Sequence, residues 1–229
     1  MLKQPITDVF FDLDHTLWDF ERNSALTYGK ILPEHGVGVD LDLFLEHYVP
    51  LNLEFWKLYR EERITAEELR YQRLKTVFDR LGQPVSDTCI DSLAASYILN
   101  LSTHTHLMPD ALETLQYLKG NYRLHIITNG FEEVQLRKLR NCRIDVFFGE
   151  VVHSEAAGVK KPHPRIFEWA LERTGARPEQ AVMIGDNLEA DILGAQQVGM
   201  QAIHFRESGD PGHNSCPVIR HLREIKTYL

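Results

Sequence analysis

The stretch DVFFDLDHT, residues 8–16, is the segment that decides the fold. A short apolar run bounded by polar residues is typical of a strand buried in a parallel sheet. Asp12 and Asp14 follow that run directly. In open α/β sheets, ligands bind beyond the carboxyl ends of the strands. The stretch therefore predicts a first core strand that brings two acids to the functional edge of a sheet.

Other apolar runs of strand length occur later in the chain. They lie at 124–127, 181–184 and 201–205, with a weaker one at 147–152. Helical patterns separate them, at 109–119, 131–139, 165–173 and 188–198. Helices that alternate with buried strands indicate right-handed crossovers between parallel strands. The chain is therefore predicted to be an α/β protein with a Rossmann-like parallel sheet core flanked by helices.

One long segment, from about residue 18 to about residue 105, breaks this alternation and shows only helical periodicity. Within it, Thr65 and Glu68 have the spacing of a capping box at the start of a helix. A helical insert placed directly after the first strand is expected at the carboxyl edge of the sheet, where it would act as a cap. The predicted domains are a catalytic core formed by 1–17 and 106–229 and a helical cap formed by 18–105.

The charge balance argues against a nucleic-acid polymer as partner. The chain of 229 residues has a formal net charge of −8 and lacks the basic stripe that meets phosphates in nucleic-acid-binding proteins. The densest basic cluster comprises Arg137, Lys138, Arg140 and Arg143. Its helical spacing favours a solvated helix face. Small phosphorylated molecules remain compatible with this charge, because a few local cations can bind them.

The three cysteines are far apart and form no CxxC pair, which is typical of thiols in a reducing compartment. No apolar stretch approaches the roughly 18 residues of a membrane span, and no signal peptide is recognised at the start. We therefore expect a cytoplasmic protein with no membrane partner, either a monomer or a homodimer.

The carboxylates of Asp12 and Asp14 are the sharpest chemical feature of the chain. Two acids at positions i and i+2 of an extended segment lie on the same side and resist joint ionisation. A divalent cation would relieve this repulsion, and hard oxygen ligands suit Mg²⁺. The pair alone is a weak signal, because surface loops often contain it.

Further polar residues stand near the ends of later strands and strengthen the signal. They are Thr128, Asn129 and Gly130 after the run 124–127, Lys161 and Pro162 before a helix, and Gly185, Asp186 and Asp191 after the run 181–184. If these ends share one sheet edge, acids, a hydroxyl and a lysine converge in one small volume. A hydroxyl with turn amides and a lysine can bind phosphate oxygens.

This order of motifs resembles the haloacid dehalogenase superfamily. The matching segments are FFDLDHT at 10–16, TNG at 128–130, KP at 161–162, and GD at 185–186 with Asp191. The resemblance covers nearly the whole chain, including a helical cap between the first two motifs. It implies a Mg²⁺-dependent phosphatase that forms an aspartyl-phosphate, with a small phosphorylated substrate as its partner.

The resemblance also implies roles for individual residues. Asp12 is expected to be the nucleophile, and Asp14 the general acid for the leaving oxygen and then the base for water. Phosphate binding is expected from Thr128, Asn129 and Lys161. The expected Mg²⁺ ligands are the carboxylates of Asp12 and Asp186 and the backbone carbonyl of Asp14. Asp191 is expected to orient Lys161 or a metal-bound water.

Within the superfamily, the first two motifs look most like the pyrimidine 5′-nucleotidase branch, so a nucleoside 5′-monophosphate is the expected substrate. Trp18 follows the first motif directly and is the candidate for contact with the nucleoside. Phosphatases of sugar phosphates or phosphoglycolate have similar motifs and are an alternative.

Two other classes also remain as alternatives. A phospho-accepting signalling module uses Asp, Thr, Lys and Mg²⁺ on a parallel sheet, but it would have no cap insert. A hydrolytic dehalogenase on the same scaffold needs no metal, whereas Asp14 and the acids Asp186 and Asp191 favour phosphate. His104 and His106 could ligate zinc, but no third ligand is suitably spaced, and their place where the insert returns favours hinge residues.

Overall fold

The computed structural model describes residues 2, 4–206 and 212–229. The chain forms two compact units, the first made of Met1–Asp19 and Thr105–Leu229 and the second of Phe20–His104. None of the helices in the described part of the chain has both the length and the apolar character needed to cross a membrane.

A single parallel sheet forms the centre of the first unit. Its strands, within the described residues, are β1 (Asp8–Phe11), β2 (Arg123–Thr128), β3 (Phe148–His153), β4 (Ala181–Gly185), β5 (Gln201–Phe205) and β6 (Val218–Ile219). They lie in the order β3-β2-β1-β4-β5-β6, and every neighbouring pair is parallel. The predicted fold class is thus confirmed, with β6 added at the edge.

The position of β1 in the sheet explains why its sequence is so apolar. All four of its residues are buried, because strands lie on both sides and helices cover the faces. Phe11 is in register with Ile126 on β2 and Ile184 on β4. The residues that follow these three strands therefore emerge side by side at the same edge.

Nine α-helices lie within the described residues. They are α1 (Phe20–Glu34), α2 (Leu41–Arg60), α3 (Ala66–Arg80), α4 (Asp87–Asn100), α5 (Ala111–Lys119), α6 (Glu132–Asn141), α7 (Ser154–Ala157), α8 (Pro164–Thr174) and α9 (Gly194–Gln197). A π-helical segment, Leu188–Leu193, directly precedes α9. Ile166 and Phe167 of α8 join Phe10, Ile127 and Met183 of the sheet in one buried cluster beneath the strand ends. This packing gives the strand ends a rigid base.

The second unit contains α1 to α4 and has a core rich in tyrosine. The predicted capping box opens α3: the Thr65 hydroxyl accepts from the Glu68 amide, and the Glu68 carboxylate accepts from the Thr65 amide. Arg73 of α3 is buried in this core, 5.0 Å from the ring of Tyr97, and donates to Asn52 at 2.8 Å. Aromatic faces and a neutral amide thus stabilise this buried cation.

The second unit, Phe20–His104, is slightly shorter at both ends than the segment 18–105 expected from the sequence. Trp18 forms an antiparallel bridge with Leu107, and the Asp19 amide donates to the His106 carbonyl at 3.1 Å. The Met108 amide likewise donates to Leu17 at 2.9 Å. The outgoing and returning segments pair with each other. Trp18, Asp19 and Thr105 fall in the first unit, although the sequence analysis assigned all three to the cap.

Candidate active site

Asp12 extends β1 by one residue at the carboxyl edge of the sheet. Its amide donates to the Ile184 carbonyl at 2.9 Å, which fixes the backbone, and its residue exposure is 8%. Its Oδ1 accepts from Lys161 Nζ at 2.6 Å. Its Oδ2 has no hydrogen-bond partner among the described residues. One carboxylate oxygen is therefore held by a cation and the other remains available.

Lys161 is a buried cation between two acids. It is 2% exposed, and its Nζ donates to Asp12 Oδ1 at 2.6 Å, to Asp191 Oδ1 at 2.6 Å and to the Ile127 carbonyl at 2.7 Å. Burial acts to lower the pKa of Lys161, but Asp12 and Asp191 outweigh it and hold the pKa above its ordinary value. Lys161 is therefore a permanent positive charge beside Asp12.

Asn129 holds the backbone of the lysine loop. Its Nδ2 donates to the Lys161 carbonyl at 3.0 Å, and its Oδ1 accepts from the Lys161 amide at 2.7 Å. The sequence placed Asn129 among the phosphate-binding residues. The contacts in the structure connect its side chain to the backbone of Lys161, and phosphate binding by Asn129 stays a prediction.

Asp191 contacts both the lysine and the loop that follows β4. Its Oδ1 binds Lys161, and its Oδ2 accepts from the Asn187 amide at 3.0 Å. The side chain packs so tightly over Gly185 that a Cβ added there would lie 2.3 Å from Oδ2. A glycine is therefore required at the end of β4 for Asp191 to reach the lysine.

Three acids are close enough to share a cation. Among residues 2, 4–206 and 212–229, Asp12, Asp186 and Asp191 form a group whose potential ligand oxygens lie within 4.8 Å of one another. The Thr16 hydroxyl donates to Asp186 Oδ1 at 3.3 Å. Burial raises the pKa of Asp12 well above its usual range, and burial with the neighbouring charge of Asp191 raises the pKa of Asp186 to about 7.

This chemistry fits a divalent cation. The raised pKa values express the cost of placing carboxylates together away from water, and a cation would remove that cost. Carboxylate oxygens are the ligands that Mg²⁺ prefers. Since Asp191 already binds Lys161 and Asn187, Asp12 and Asp186 have the greater freedom to act as ligands.

Thr128 ends β2 with a hydroxyl suited to an anion. Its Oγ1 accepts from the Gly130 amide at 3.1 Å and from Gln135 Nε2 at 2.7 Å. Both contacts use the oxygen as acceptor, so the hydroxyl hydrogen is left to donate. The sequence predicts phosphate binding for Thr128, and these contacts are compatible with that prediction.

Asp14 is held by two residues that the sequence analysis did not assign to the site. Its Oδ1 accepts from Lys138 Nζ at 2.5 Å, and its Oδ2 accepts from Gln135 Nε2 at 3.0 Å. Burial lowers the pKa of Lys138 below its ordinary value, although the neighbouring Asp14 opposes this shift.

The interpretation of the basic cluster as a solvated helix face is wrong for Lys138, which is 1% exposed. Lys138 lies one turn after the buried residues Val134 and Gln135, on the inner face of α6. The spacing of Lys138 from Val134 and Gln135, four and three residues, indicates that all three lie on the same face of the helix. The prediction from the sequence considered only the charge of the cluster and missed this indication. Arg140 does face solvent.

The predicted contact between Trp18 and the nucleoside is not supported by the structure. The side chain of Trp18 is fully buried, and Lys138 Nζ lies 4.1 Å from the centre of its ring. A cation against an indole face is a stabilising contact. We therefore reassign Trp18 to packing beneath the lysine that binds Asp14.

The fold and the site define an α/β protein that holds acids, a lysine and a hydroxyl at the carboxyl edge of a parallel sheet. The family model for haloacid dehalogenase-like hydrolases matches residues 8–199, and the chain belongs to that family. The chain is thus a hydrolase by family, which leaves phosphatase and dehalogenase chemistry to be distinguished.

Known proteins resemble the chain along most of its length. It is 30% identical over 227 residues to pyrimidine 5′-nucleotidase YjjG of Escherichia coli, a match covering 96% of each chain. It is 37% identical over 205 residues to glyceraldehyde 3-phosphate phosphatase of Methanothermobacter thermautotrophicus, covering 85% of this chain and 83% of that protein. The solved structure of the putative HAD-hydrolase YfnB from Bacillus subtilis, described as bound to magnesium, has a TM-score of 0.87 at 25% identity and covers 98% of this chain and 99% of its own.

Proposed function

We propose that the protein is a Mg²⁺-dependent phosphomonoesterase that forms an aspartyl-phosphate on Asp12 and hydrolyses nucleoside 5′-monophosphates. The proposal rests on the environment of the Asp12 carboxylate. One of its oxygens is bound by Lys161 at 2.6 Å, the other accepts no hydrogen bond from the described residues, and Asp186 lies close by. The division into a catalytic core and a substrate-selecting cap is part of the same proposal.

The reaction would proceed in two steps. In the first, a carboxylate oxygen of Asp12 bonds to phosphorus while the bond to the leaving oxygen breaks. That oxygen takes a proton from Asp14, which would enter this step as the protonated acid and leave it as the carboxylate that Lys138 and Gln135 bind. In the second, water attacks phosphorus, gives its proton to Asp14, and the bond to Asp12 breaks to release phosphate. Dividing the hydrolysis in this way replaces one difficult displacement with two easier ones.

The side chains around Asp12 match the needs of such a transfer. Phosphoryl transfer depends mainly on alignment and on neutralising the equatorial oxygens. Lys161 supplies a fixed positive charge, and Thr128 supplies a hydroxyl donor. Asp191 and Asn129 keep the lysine in place through its ammonium group and its backbone.

Mg²⁺ would be held by Asp12 and Asp186, with the backbone carbonyl of Asp14 as a further ligand. It would supply charge that neutralises the phosphoryl oxygens and lets the dianion approach the acids. The crowding of Asp12, Asp186 and Asp191 supports this assignment, as does the magnesium described for the YfnB structure.

The substrate class rests on the relatives. YjjG, named a pyrimidine 5′-nucleotidase, matches the chain over 96% of both lengths, which includes the helical unit. A second candidate is a phosphorylated three-carbon sugar, because the glyceraldehyde 3-phosphate phosphatase of Methanothermobacter thermautotrophicus has the higher identity of 37% over a shorter match.

A phosphate-release screen tests the proposal. Purified protein in Mg²⁺ is offered nucleoside 5′-monophosphates, glyceraldehyde 3-phosphate, phosphoglycolate and a 2-haloacid, and kcat/KM is measured for each. We expect the pyrimidine 5′-monophosphates to have the highest values. A higher value for the sugar phosphate would establish the second candidate, and halide release without phosphate release would overturn the phosphatase.

A further inference from the structure

Helix α6 connects two of the motifs at the sheet edge. It begins directly after the turn that follows Thr128, and Gln135 and Lys138 lie three residues apart on its inner face. Both side chains are 1% exposed. Gln135 Nε2 donates to Thr128 Oγ1 at 2.7 Å and also to Asp14 Oδ2 at 3.0 Å. One amide group therefore links the hydroxyl of the second motif to the second acid of the first.

The carboxylate of Asp14 is fixed at both oxygens. Lys138 binds Oδ1 at 2.5 Å and Gln135 binds Oδ2 at 3.0 Å. The side chain of Asp14 is nevertheless 23% exposed, so these contacts leave part of it accessible. Because both oxygens of the carboxylate are bound, the side chain of Asp14 is restricted to one orientation.

Neighbouring residues leave space for the side chain of Gln135 and contact the ammonium group of Lys138. A Cβ added to Gly130 would lie 2.5 Å from the amide carbon of Gln135, so the glycine gives this side chain its space. Lys138 Nζ lies 4.1 Å from the centre of the ring of Trp18, whose side chain is fully buried. A lysine this deeply buried is costly unless it is paired, and Asp14 is its partner.

We propose that Gln135 and Lys138 are positioning residues that hold Asp14 in the orientation needed for its two proton transfers. This inference rests on the proposed function, because it assigns to Asp14 the role of acid and base. The two residues touch Asp14 and not the reacting phosphorus. Loss of a contact with Asp14 should therefore act on the steps in which Asp14 gives or takes a proton, and Gln135 in addition contacts the Thr128 hydroxyl.

The test separates this role from simple structural support by changing the leaving group. The nucleoside of a 5′-monophosphate leaves as an alkoxide and needs a proton from Asp14, whereas p-nitrophenolate leaves without one. The value of kcat/KM reports only the steps up to departure of the leaving group. Comparing kcat/KM for uridine 5′-monophosphate and p-nitrophenyl phosphate therefore isolates the proton donation.

The variants are K138M and Q135M, which keep side-chain length and remove the hydrogen-bond donors. For both, we expect kcat/KM with uridine 5′-monophosphate to fall by about 10- to 100-fold, the scale of a misplaced catalytic group. With p-nitrophenyl phosphate we expect a decrease of less than about threefold for K138M. Q135M should lose more than K138M with this substrate, because it also loses the contact with the Thr128 hydroxyl, but less than it loses with uridine 5′-monophosphate. R140M, on the exposed side of the same helix, is the matched control and should behave like the wild type with both substrates.

A double variant shows whether the effect passes through Asp14. In the D14N background, K138M should cause no further loss with uridine 5′-monophosphate, because the proton donor is already gone. Thermal unfolding of each variant verifies the fold, and Q135M carries the test if K138M does not fold.

Equal losses with both substrates, or full additivity of D14N and K138M, would overturn the positioning role and leave only a structural one. The proposed function fails in a different way. If the wild type releases phosphate from neither ester and from no phosphate of the screen, the phosphatase is wrong, whatever the variants do.

Discussion

An aspartate next to a cation lies at each end of strand β1, and the two differ in what surrounds them: Asp8 is the first residue of the strand, and Asp12 directly follows its last. Asp8, at the amino end, is fully buried and accepts from Arg123 at 2.8 Å, from Thr7 at 2.7 Å and, at 3.1 Å, pairs with His125. Asp12, beyond the carboxyl end, accepts one side-chain hydrogen bond from Lys161. The first carboxylate is saturated with partners, whereas the second is not.

The neighbouring charges sharpen the difference. Asp8 is surrounded by hydrogen-bond donors, whereas Asp12 has two further acids, Asp186 and Asp191, nearby. Burial raises the pKa of Asp12 well above the usual range. An acid with complete hydrogen bonding stabilises a fold, while an acid crowded by other acids is poised to bind a cation or a phosphoryl group. The role of each aspartate therefore depends on the end of the strand at which it lies, with a structural role at the amino end and a candidate catalytic role at the carboxyl end.

The largest expected effect is the loss of turnover in D12N. An amide cannot form the acyl-phosphate, so kcat should fall by roughly 10³-fold or more. The free energy of unfolding, measured in urea, should stay equal to that of the wild type or rise, because a crowded charge is removed. If D12N kept near wild-type kcat, Asp12 would not be the nucleophile.

The next largest expected effect is the loss of activity when divalent metal is removed. Protein treated with EDTA should lose activity and regain it with Mg²⁺, because the acids need a compensating charge before a phosphate can approach. Calorimetric titration of Mg²⁺ provides a readout independent of turnover. D186N should weaken binding by at least about tenfold, a loss that even changes outside the coordination shell can cause.

D8N is the control for this titration and should bind Mg²⁺ like the wild type. Full turnover in metal-free protein would contradict the proposed metal site.

D8N should have the opposite pattern to D12N. The neutral amide weakens the contacts with Arg123 and His125 in a buried setting, so the free energy of unfolding should fall by about 1–3 kcal/mol. The kcat of the folded fraction should stay within about twofold of the wild type, because Asp8 lies at the opposite end of β1 from Asp12 and shares none of its side-chain contacts. A selective loss of kcat without destabilisation would refute the division between the two ends of β1.

The smallest effect concerns pH and His125. Burial lowers the pKa of His125, although its contact with Asp8 opposes this, and its Nδ1 has no hydrogen-bond partner among the described residues. The unfolded chain therefore binds a proton more readily than the folded one. Stability should decrease as the pH falls through the ordinary histidine value of about 6.5.

The variant H125Q isolates this contribution. Urea unfolding at pH 7.5 and 5.5 should show a smaller loss on acidification for H125Q than for the wild type. An identical loss in both proteins would show that His125 does not contribute to the pH dependence.

The sequence predicts the parts of the site that depend on strand ends. Asp12, Thr128 and Asp186 each follow a recognisable apolar run, and parallel strands place their carboxyl ends along one edge. Lys161 was found through its motif. The short strand β6 was missed, because two residues are too few to show a period.

The contacts of Gln135 and Lys138 could not be predicted from local pattern. Helix α6 has a mostly charged sequence, EEVQLRKLRN, and its few apolar residues do not show which polar side chains face inward. The reason Lys138 is buried is that Asp14, 124 residues earlier, is its partner. Trp18 was misassigned for a related reason, since nearness to a motif along the chain does not establish exposure.

The pairing of Leu17 to Asp19 with His106 to Met108 has an evolutionary consequence. Since the chain leaves the first unit and returns to it through two hydrogen-bonded segments, the ends of the 20–104 insert start from neighbouring points. An insert whose ends nearly meet can be lengthened, shortened or exchanged without moving the strands that carry the acids. This hydrogen-bonded junction would make the helical unit a replaceable module, so that, if the helical unit selects the substrate as proposed, a lineage could acquire a new substrate preference while the residues at the sheet edge are inherited unchanged.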